Sequence, residues 1–482
     1  MKKFMAFTIA LLFLMVMASA VFAAETTFKG DYQVRAWAEY NFDKKPGYGP
    51  QDKEAQYDGW FEQRFRLTIT HTRSEFLKAV VKFDLVDDTW GQQRNLRINN
   101  STTGSYIDWA FIEFTLPKIG KFTVGKFPQY FGYGLTFASI QPGQDGVKYQ
   151  NTWGPVTLAA MFLKISDRVS FGTASPYYNR DSNLWALDLM ITPNDKHTVE
   201  LFGGLMTADS WPDNLALSYD MVNSLGQPIN TASTYGFFGV SYTGNFADMI
   251  DVKAEYSRVQ GRINRNGVVA AGIDDSLSVE GWNAYLDVSY YNDMMRLGLA
   301  FLMGSGEKHR WNTTTSLHNI NVNNIMWDVN RFRWANIIGS GNSGVNSVYF
   351  GPGSDATTEN LTSIKLYFEI FPMEKLSINA AVIWAKWTDP VGSGANTFDE
   401  RPAYRHPANW YSNYAWASWD ESTDLGWEID LGFTYEIMEG LTYTFAGGVL
   451  FTGDSYDYVN WDGSHENWGP IWSISNTLRY TF

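Results

Sequence analysis

Hydrophobic and polar residues alternate with a period of two over the last residues of the chain. From 472 to 482 the odd positions are Ser, Thr or Arg, whereas the even positions are apolar apart from one Asn: Trp472, Ile474, Asn476, Leu478, Tyr480 and Phe482. Side chains of a strand point alternately to its two faces, so this pattern predicts a strand with one apolar and one polar face. In a membrane barrel the apolar face contacts lipid and the polar face lines a lumen.

The same period recurs along the chain and predicts an all-β fold. Alternation over 28–42 is longer than in a typical globular strand and is sufficient to cross a membrane. We predict about eighteen strands, with sixteen as the alternative. Their ranges are 28–42, 60–71, 76–86, 106–116, 121–127, 145–152, 156–165, 184–192, 198–206, 234–244, 251–260, 278–290, 294–304, 361–371, 376–386, 425–436, 441–452 and 468–482.

The connections between these strands alternate between short and long. Short ones fall at 72–75, 153–155, 193–197, 291–293, 372–375 and 437–440, and long ones at 43–59, 87–105, 166–183, 207–233, 305–360 and 387–424. Short periplasmic turns and long extracellular loops are typical of a transmembrane antiparallel β-barrel, and an even strand count places both termini on the periplasmic side. A soluble sandwich or propeller is the alternative, but its exposed faces would be polar.

Composition supports the membrane interpretation. The chain is 45% hydrophobic and 16% aromatic, with 20 Trp and 27 Tyr, as two aromatic girdles require. Lys2 and Lys3 precede a short apolar run and small residues, so residues 1–23 are predicted to be a cleaved signal peptide and 24–482 the barrel domain. A retained anchor helix is the alternative. The net charge of -14 argues against nucleic acid as a partner.

No arrangement of residues indicates a reaction. The chain has no cysteine, and its six histidines are scattered over different turns and loops: His71, His197, His309, His318, His406 and His465. Neither a phosphate-binding loop nor a nucleophile elbow is present. We therefore expect no enzymatic activity, no cofactor and no metal.

Charged side chains on the predicted inward faces suggest an asymmetric lumen. On the last strand and the first three, the inward basic residues are Lys29, Arg35, Arg64, Arg66, Lys78, Lys82 and Arg479. On the opposite arc the inward acidic residues are Asp188, Glu200, Asp251, Glu255, Asp287, Glu369, Glu428 and Asp430. One hypothesis is a transverse field that orients polar solutes. The alternative is that luminal charges only pair with one another and retain water.

The segment 128–144 is rich in glycine and aromatic residues, and one hypothesis is that it folds inward as a constriction. Around it, the run from Gly125-Lys126-Phe127-Pro128 to Asp145-Gly146 resembles bacterial porins of the alginate-export-like family over about 106–162. Lys126 and Phe127 replace the Arg-Gln of that motif. The C-terminal strand ending in Phe482 and the whole mature chain resemble 16–18-stranded outer-membrane porins.

The resemblance implies a Gram-negative outer membrane, contact with lipid, passive diffusion of small hydrophilic solutes, and recognition of the C-terminal strand by the assembly machinery. A homotrimer is compatible with it. Two alternatives stay open: a selective sugar or polysaccharide channel, and an adhesin or structural surface protein with a blocked lumen. Trp410 and Trp416 are candidates for stacking on sugar rings, or for pinning loops together.

Overall fold

The computed structural model describes residues 24–41, 57–90, 106–166, 182–208, 233–264, 276–306, 319–321, 332, 334–338, 360–388, 422–456, 458–459, 465–466 and 469–482. The barrel wall in this part of the chain contains eighteen antiparallel strands. They are β1 Glu25–Tyr40, β2 Tyr57–Ser74, β3 Leu77–Thr89, β4 Tyr106–Leu116, β5 Gly120–Tyr130, β6 Ala138–Trp153, β7 Val156–Ser166, β8 Ser182–Asn194, β9 His197–Ala208, β10 Ser233–Phe246, β11 Ile250–Asn264, β12 Ser276–Tyr291, β13 Met295–Gly304, β14 Leu361–Met373, β15 Leu376–Trp387, β16 Asp424–Met438, β17 Leu441–Thr452 and β18 Ile471–Thr481.

Three short strands accompany the wall. Asn319–Asn321 pairs in parallel with β12, and Tyr458–Val459 pairs with His465–Glu466. No helix among the described residues is both long enough and apolar enough to span a membrane.

The two ends of the chain close the barrel. Strands β1 and β18 pair antiparallel from Asp31 opposite Thr481 to Tyr40 opposite Trp472. Gly30 and Phe482 extend this seam with two backbone hydrogen bonds, of 2.8 and 3.1 Å. The prediction that the two ends pair is confirmed, and closure leaves no free edge in the wall.

The alternation of short and long connections is also confirmed. Eight connections contain two or three residues, and all lie at the edge where β1 begins and β18 ends. Outward residues are mainly large and apolar, for example Phe28, Leu187 and Leu431. Aromatic pairs lie near both edges: Tyr40 stacks on Trp472 with ring centroids 5.7 Å apart, and Phe114 stacks on Phe122 at 5.2 Å. Such rings suit the two interfaces of a bilayer.

Several strand boundaries in the predictions were wrong. Strand β5 continues to Tyr130 and β6 already begins at Ala138, so only 131–137 remains of the loop predicted at 128–144. Pro128 lies within β5 at a register shift between Phe127 and Gln129, where a bulge accommodates a residue without an N–H group. Strand β1 ends at Tyr40 rather than 42.

Closure of the barrel depends on the absence of a side chain at Gly30. A Cβ atom there would overlap the ring of Phe482. We predict that Gly30→Val displaces this ring and destabilises the seam by about 1–3 kcal/mol, the usual cost of overpacking. The folded fraction in an unheated SDS gel will fall, whereas Ala36→Val, six residues further along the outward face of β1, will leave it unchanged. Equal folded fractions for both variants would contradict the prediction.

Candidate functional site

The lumen contains two apolar clusters at the edge of the long loops. One comprises inward side chains of β5 to β12, including Leu184, Phe202 and Phe237, and the other those of β13 to β18, including Leu302 and Ile383. The expectation of a polar lumen is therefore wrong for the half of the lumen nearest the long loops. The sequence contained a signal, because the parts of β8 and β9 nearest the long loops carry apolar residues on both faces, as strands covered on both sides do.

Residues 131–137, here the first inward segment, leave the wall between β5 and β6 and pack on the first cluster. Phe131 stacks on Phe202 with ring centroids 5.7 Å apart, and Leu135 and Phe137 are fully buried. Polar contacts attach the segment to β9 and β11: the Gly132 N–H donates to Glu200 at 2.9 Å, and the Tyr133 N–H donates to Glu255. The prediction that this stretch folds inward is confirmed.

Residues 334–338 form a second inward segment, which packs on the second cluster. The N–H groups of Ile337 and Ile338 donate to the two carboxylate oxygens of Glu428, at 2.7 and 2.8 Å. The Asn336 N–H donates to Asp430 at 3.1 Å. On the other side, Lys365 donates to the carbonyl of Trp334 at 2.6 Å. Two luminal carboxylates and one lysine thus fix a stretch of irregular backbone.

The two inward segments meet within the lumen. Tyr133 of the first segment contacts Tyr285 of β12, with ring centroids 5.3 Å apart, and Tyr285 contacts Phe332 at 5.5 Å. Leu135 also belongs to the cluster that contains Trp334. The first segment contacts β9, β11 and β12, and the second contacts β14, β16 and β17.

These contacts change the interpretation of the acidic arc. Glu255, Glu428 and Asp430 are 3%, 0% and 7% exposed, so they hold the inward segments and do not face an open pore. Glu200 accepts from Ser241 as well as from Gly132. Two further acids of this arc accept hydrogen bonds from wall residues: Asp251 from Asn245 and Arg296, and Asp287 from Tyr285 and Tyr367. Asp188 and Glu369 lie at inward positions of β8 and β14.

The opposite side, from β18 through β1 and β2 to β3, is here called the basic wall. Six of its seven predicted residues form ion pairs with described carboxylates: Arg35 with Glu62, Arg64 and Arg66 with Asp84, Lys78 with Glu113, Lys82 with Asp108, and Arg479 with Asp31. Lys29 lies on β1 opposite Thr68. The basic wall is therefore less positive than its seven basic residues alone would make it. This favours the hypothesis that luminal charges pair.

One site on the basic wall brings two arginines together with two carboxylates. Arg64 and Arg66 share the single fully buried carboxylate Asp84, at 2.6 and 3.4 Å, and Arg64 also lies 3.6 Å from the half-exposed Asp87. Aromatic faces accompany the bases: Arg35 lies 5.1 Å from the ring of Trp37, which stacks on Trp60 at 5.9 Å. Cations over such rings gain electrostatic stabilisation.

Several functional residues escaped the sequence analysis. Asp108 was missed because the register shifts between Lys82 and Phe83, so that Asp108 and Trp109 both contact Lys82 from the inside. Strict alternation cannot predict two successive inward residues. Residues 334–338 lie in a stretch predicted as a long loop. Trp410 and Trp416 lie outside the described residues.

Glu428 offers a direct test of how the second inward segment is held. In Glu428→Gln, the side-chain NH2 faces one of the two backbone donors and cannot accept from it. We predict a loss of about 1–3 kcal/mol in the local stability of the segment. The amides of Ile337 and Ile338 will exchange with deuterium about tenfold faster or more. Glu369→Gln, another luminal acid, serves as the control; equal exchange in both variants would contradict the assignment.

Comparisons with known proteins identify only structural likenesses. No family model matches the chain, and no curated protein matches it. Among solved structures, Pseudomonas aeruginosa OccK11 (OpdR) is 11% identical with a TM-score of 0.47, over 95% of this chain and 96% of that one. Acinetobacter baumannii OccAB4 is 11% identical with a TM-score of 0.47, over 94% and 98%.

Vibrio cholerae OmpT, an outer membrane protein in its trimer form, is 11% identical with a TM-score of 0.39, over 95% of this chain and all of that one. Identities this low transfer no residue roles.

Proposed function

We propose that this chain forms a water-filled channel in an outer membrane and passes small hydrophilic solutes and ions by passive diffusion. The observation that carries the proposal is the closed wall of eighteen strands, apolar outside and ion-paired inside. Barrels of about this size enclose an aqueous passage. The chain performs no reaction in this proposal and requires no cofactor.

The passage follows the basic wall. Arg35 and Lys78 keep contact with water, with 23% and 40% of their side chains exposed, whereas Glu428 on the opposite side is fully covered. The inward segments restrict the cross-section, so permeants are small. Outward apolar residues contact lipid, the C-terminal strand is the part recognised by the assembly machinery, and residues 1–23 are the signal peptide removed on export.

A selective sugar channel is the second candidate. The resemblance of 106–162 to alginate-export-like porins favours it, and so does the stacked pair of Trp37 and Trp60 on the basic wall. Flat aromatic faces bind the C–H faces of sugar rings, and the adjacent Arg35 suits an acidic sugar. A homotrimer is compatible with either candidate.

Single-channel recording with a solute series tests both candidates. The purified barrel is inserted into a planar bilayer, and steady conductance steps are expected. Uronic acid oligosaccharides that block the current, with relief in Trp60→Ala, would support the selective channel. Absence of any conductance would overturn both and favour a surface protein with a closed lumen.

A further inference from the structure

Four neighbouring strands of the wall, β15 to β18, line a sector of the lumen with no charged side chain at its middle. Their outward residues are large and apolar, among them Val382, Leu431, Phe451 and Leu478, so the residues of opposite parity face the lumen. In the register, two adjacent rows of these inward residues cross all four strands. The first row is Asn379–Gly432–Ala446–Ser475, and the second is Ser377–Thr434–Thr444–Thr477.

The rows on either side of these two are charged. The next row toward the long loops contains Asp430, and the next row toward the short turns contains Glu436 and Arg479. Asp430 accepts from the second inward segment, and Arg479 donates to both oxygens of Asp31, at 2.8 and 2.7 Å. The two uncharged rows, here called the neutral band, therefore present hydroxyl and amide groups to the lumen and add no charge of their own.

The polar groups of the neutral band both donate and accept hydrogen bonds. The hydroxyl oxygens of Thr434 and Thr444 lie 3.2 Å apart, and Thr477 follows them in the same row. Gly432 leaves space on its strand, and the exposed amide of Asn379 occupies that space. Hydroxyl and amide groups match the hydroxyls of a polyol whichever way each of these points, and uncharged groups cost far less to desolvate than ions.

Aromatic side chains close the band on the side of β1. Trp37 continues the first row opposite Ser475. It is 5% exposed, and its Nε1 donor has no hydrogen-bond partner within the described strands and segments. Buried donors are normally paired, so this N–H is a candidate donor to a solute oxygen. Trp37 stacks on Trp60, whose ring suits the C–H face of a polyol. Arg35, which continues the second row, is already paired with Glu62 at 2.9 Å.

We propose that the neutral band binds uncharged polyols and is the site past which they cross the barrel. The hydroxyls of the solute exchange hydrogen bonds with Thr434, Thr444 and Thr477, and its carbon skeleton packs beside Trp60. Charged solutes gain no ionic contact on the band and follow the basic wall. The proposal rests on the proposed function, because the solute has to enter the lumen. It differs from the acidic-sugar candidate, for which Arg35 supplies the selecting charge.

The test compares three solutes of nearly equal size: neutral sorbitol, anionic gluconate and cationic glucamine. The full barrel is reconstituted into liposomes, and the rate of osmotic swelling reports entry of each solute. Thr434→Val, Thr444→Val and Thr477→Val together keep the shape of the side chains and remove three hydroxyls. We expect sorbitol to enter this variant about threefold more slowly, and the two charged solutes to enter at unchanged rates.

A matched control removes three inward hydroxyls elsewhere. Thr68→Val, Thr70→Val and Thr72→Val together alter β2, on the basic wall, and sorbitol is expected to enter this variant at the wild-type rate. Should the band variant not fold, Asn379→Ala removes one exposed amide without disturbing the packing of the wall, and about twofold slower entry of sorbitol alone is expected. Unchanged entry of sorbitol, or an equal loss for all three solutes, would overturn the proposal.

Saturation-transfer NMR on the barrel in detergent detects contact with sorbitol independently of passage. Transfer to sorbitol is expected with the wild type and the control variant, and weaker transfer is expected with the band variant. Contact without swelling in any solute would overturn the proposed function and leave the neutral band standing. Swelling with equal transfer in the wild type and the band variant would overturn the neutral band alone, so the two failures are distinguishable.

Discussion

Replacing residues 131–137 by a two-residue Gly-Ser turn will raise the single-channel conductance by about twofold, because it removes one of the two segments that obstruct the lumen. The geometry permits the replacement. Tyr130 and Ala138 are register partners at the ends of β5 and β6, and a two-residue turn joins such partners in a hairpin. The deletion also frees Glu200 and Glu255 from the amides of Gly132 and Tyr133, so cation selectivity will increase together with conductance.

A matched control leaves the segment in place. Tyr133→Phe removes only the hydroxyl that donates to the carbonyl of Tyr242 at 2.9 Å, and its conductance is expected to equal that of the wild type. Should the deletion expose too much of Phe202 and Phe237 for the barrel to fold, Glu200→Gln with Glu255→Gln loosens the same segment without removing it, and brief openings to a larger current are expected. Unchanged current in a folded deletion variant would contradict the constriction.

The wall of the barrel was predictable because the alternation of apolar and polar residues can be recognised within each strand alone. Lipid outside and water inside impose a period of two on each strand separately, so the pattern of β16, for example, needs no knowledge of its neighbours. The seam was predictable for a related reason: a closed barrel requires the first and last strands to pair, whatever their sequences.

The interior was less predictable, because its contacts join residues far apart in the chain. Alternation places Glu428 inward correctly, but nothing within β16 indicates that it accepts from Ile337 and Ile338, about ninety residues earlier. A usable signal was the apolar composition of residues 334–338 inside a stretch rich in Asn, Ser and Gly. Irregular backbone is tolerated inside a barrel when its donors are satisfied, and luminal acids are the acceptors available.

The charge balance of the basic wall decides between the transverse field and simple pairing. Arg64 and Arg66 share Asp84, and Asp87 lies 3.6 Å from Arg64. Two arginines therefore face two carboxylates, and removal of one arginine leaves a net negative charge at this place. We predict that Arg66→Gln shifts the reversal potential toward the value of a cation-selective pore. The expected shift is on the order of 10 mV, compared with the ~59 mV that perfect selectivity gives across a tenfold salt gradient. Arg66 was chosen because Arg64 remains to pair with Asp84, which avoids leaving a buried charge without a partner.

The compensating variant makes the measurement specific to charge. Arg66→Gln combined with Asp84→Asn removes one charge of each sign from the same place, and the field hypothesis requires its reversal potential to return to the wild-type value. A merely structural effect of Arg66→Gln would persist or grow in the double variant, because a second hydrogen-bonded group is then altered. An excess charge in so narrow a passage acts on every ion that crosses it. If neither variant changes the reversal potential, ion pairing therefore neutralises the wall locally and the transverse field is absent.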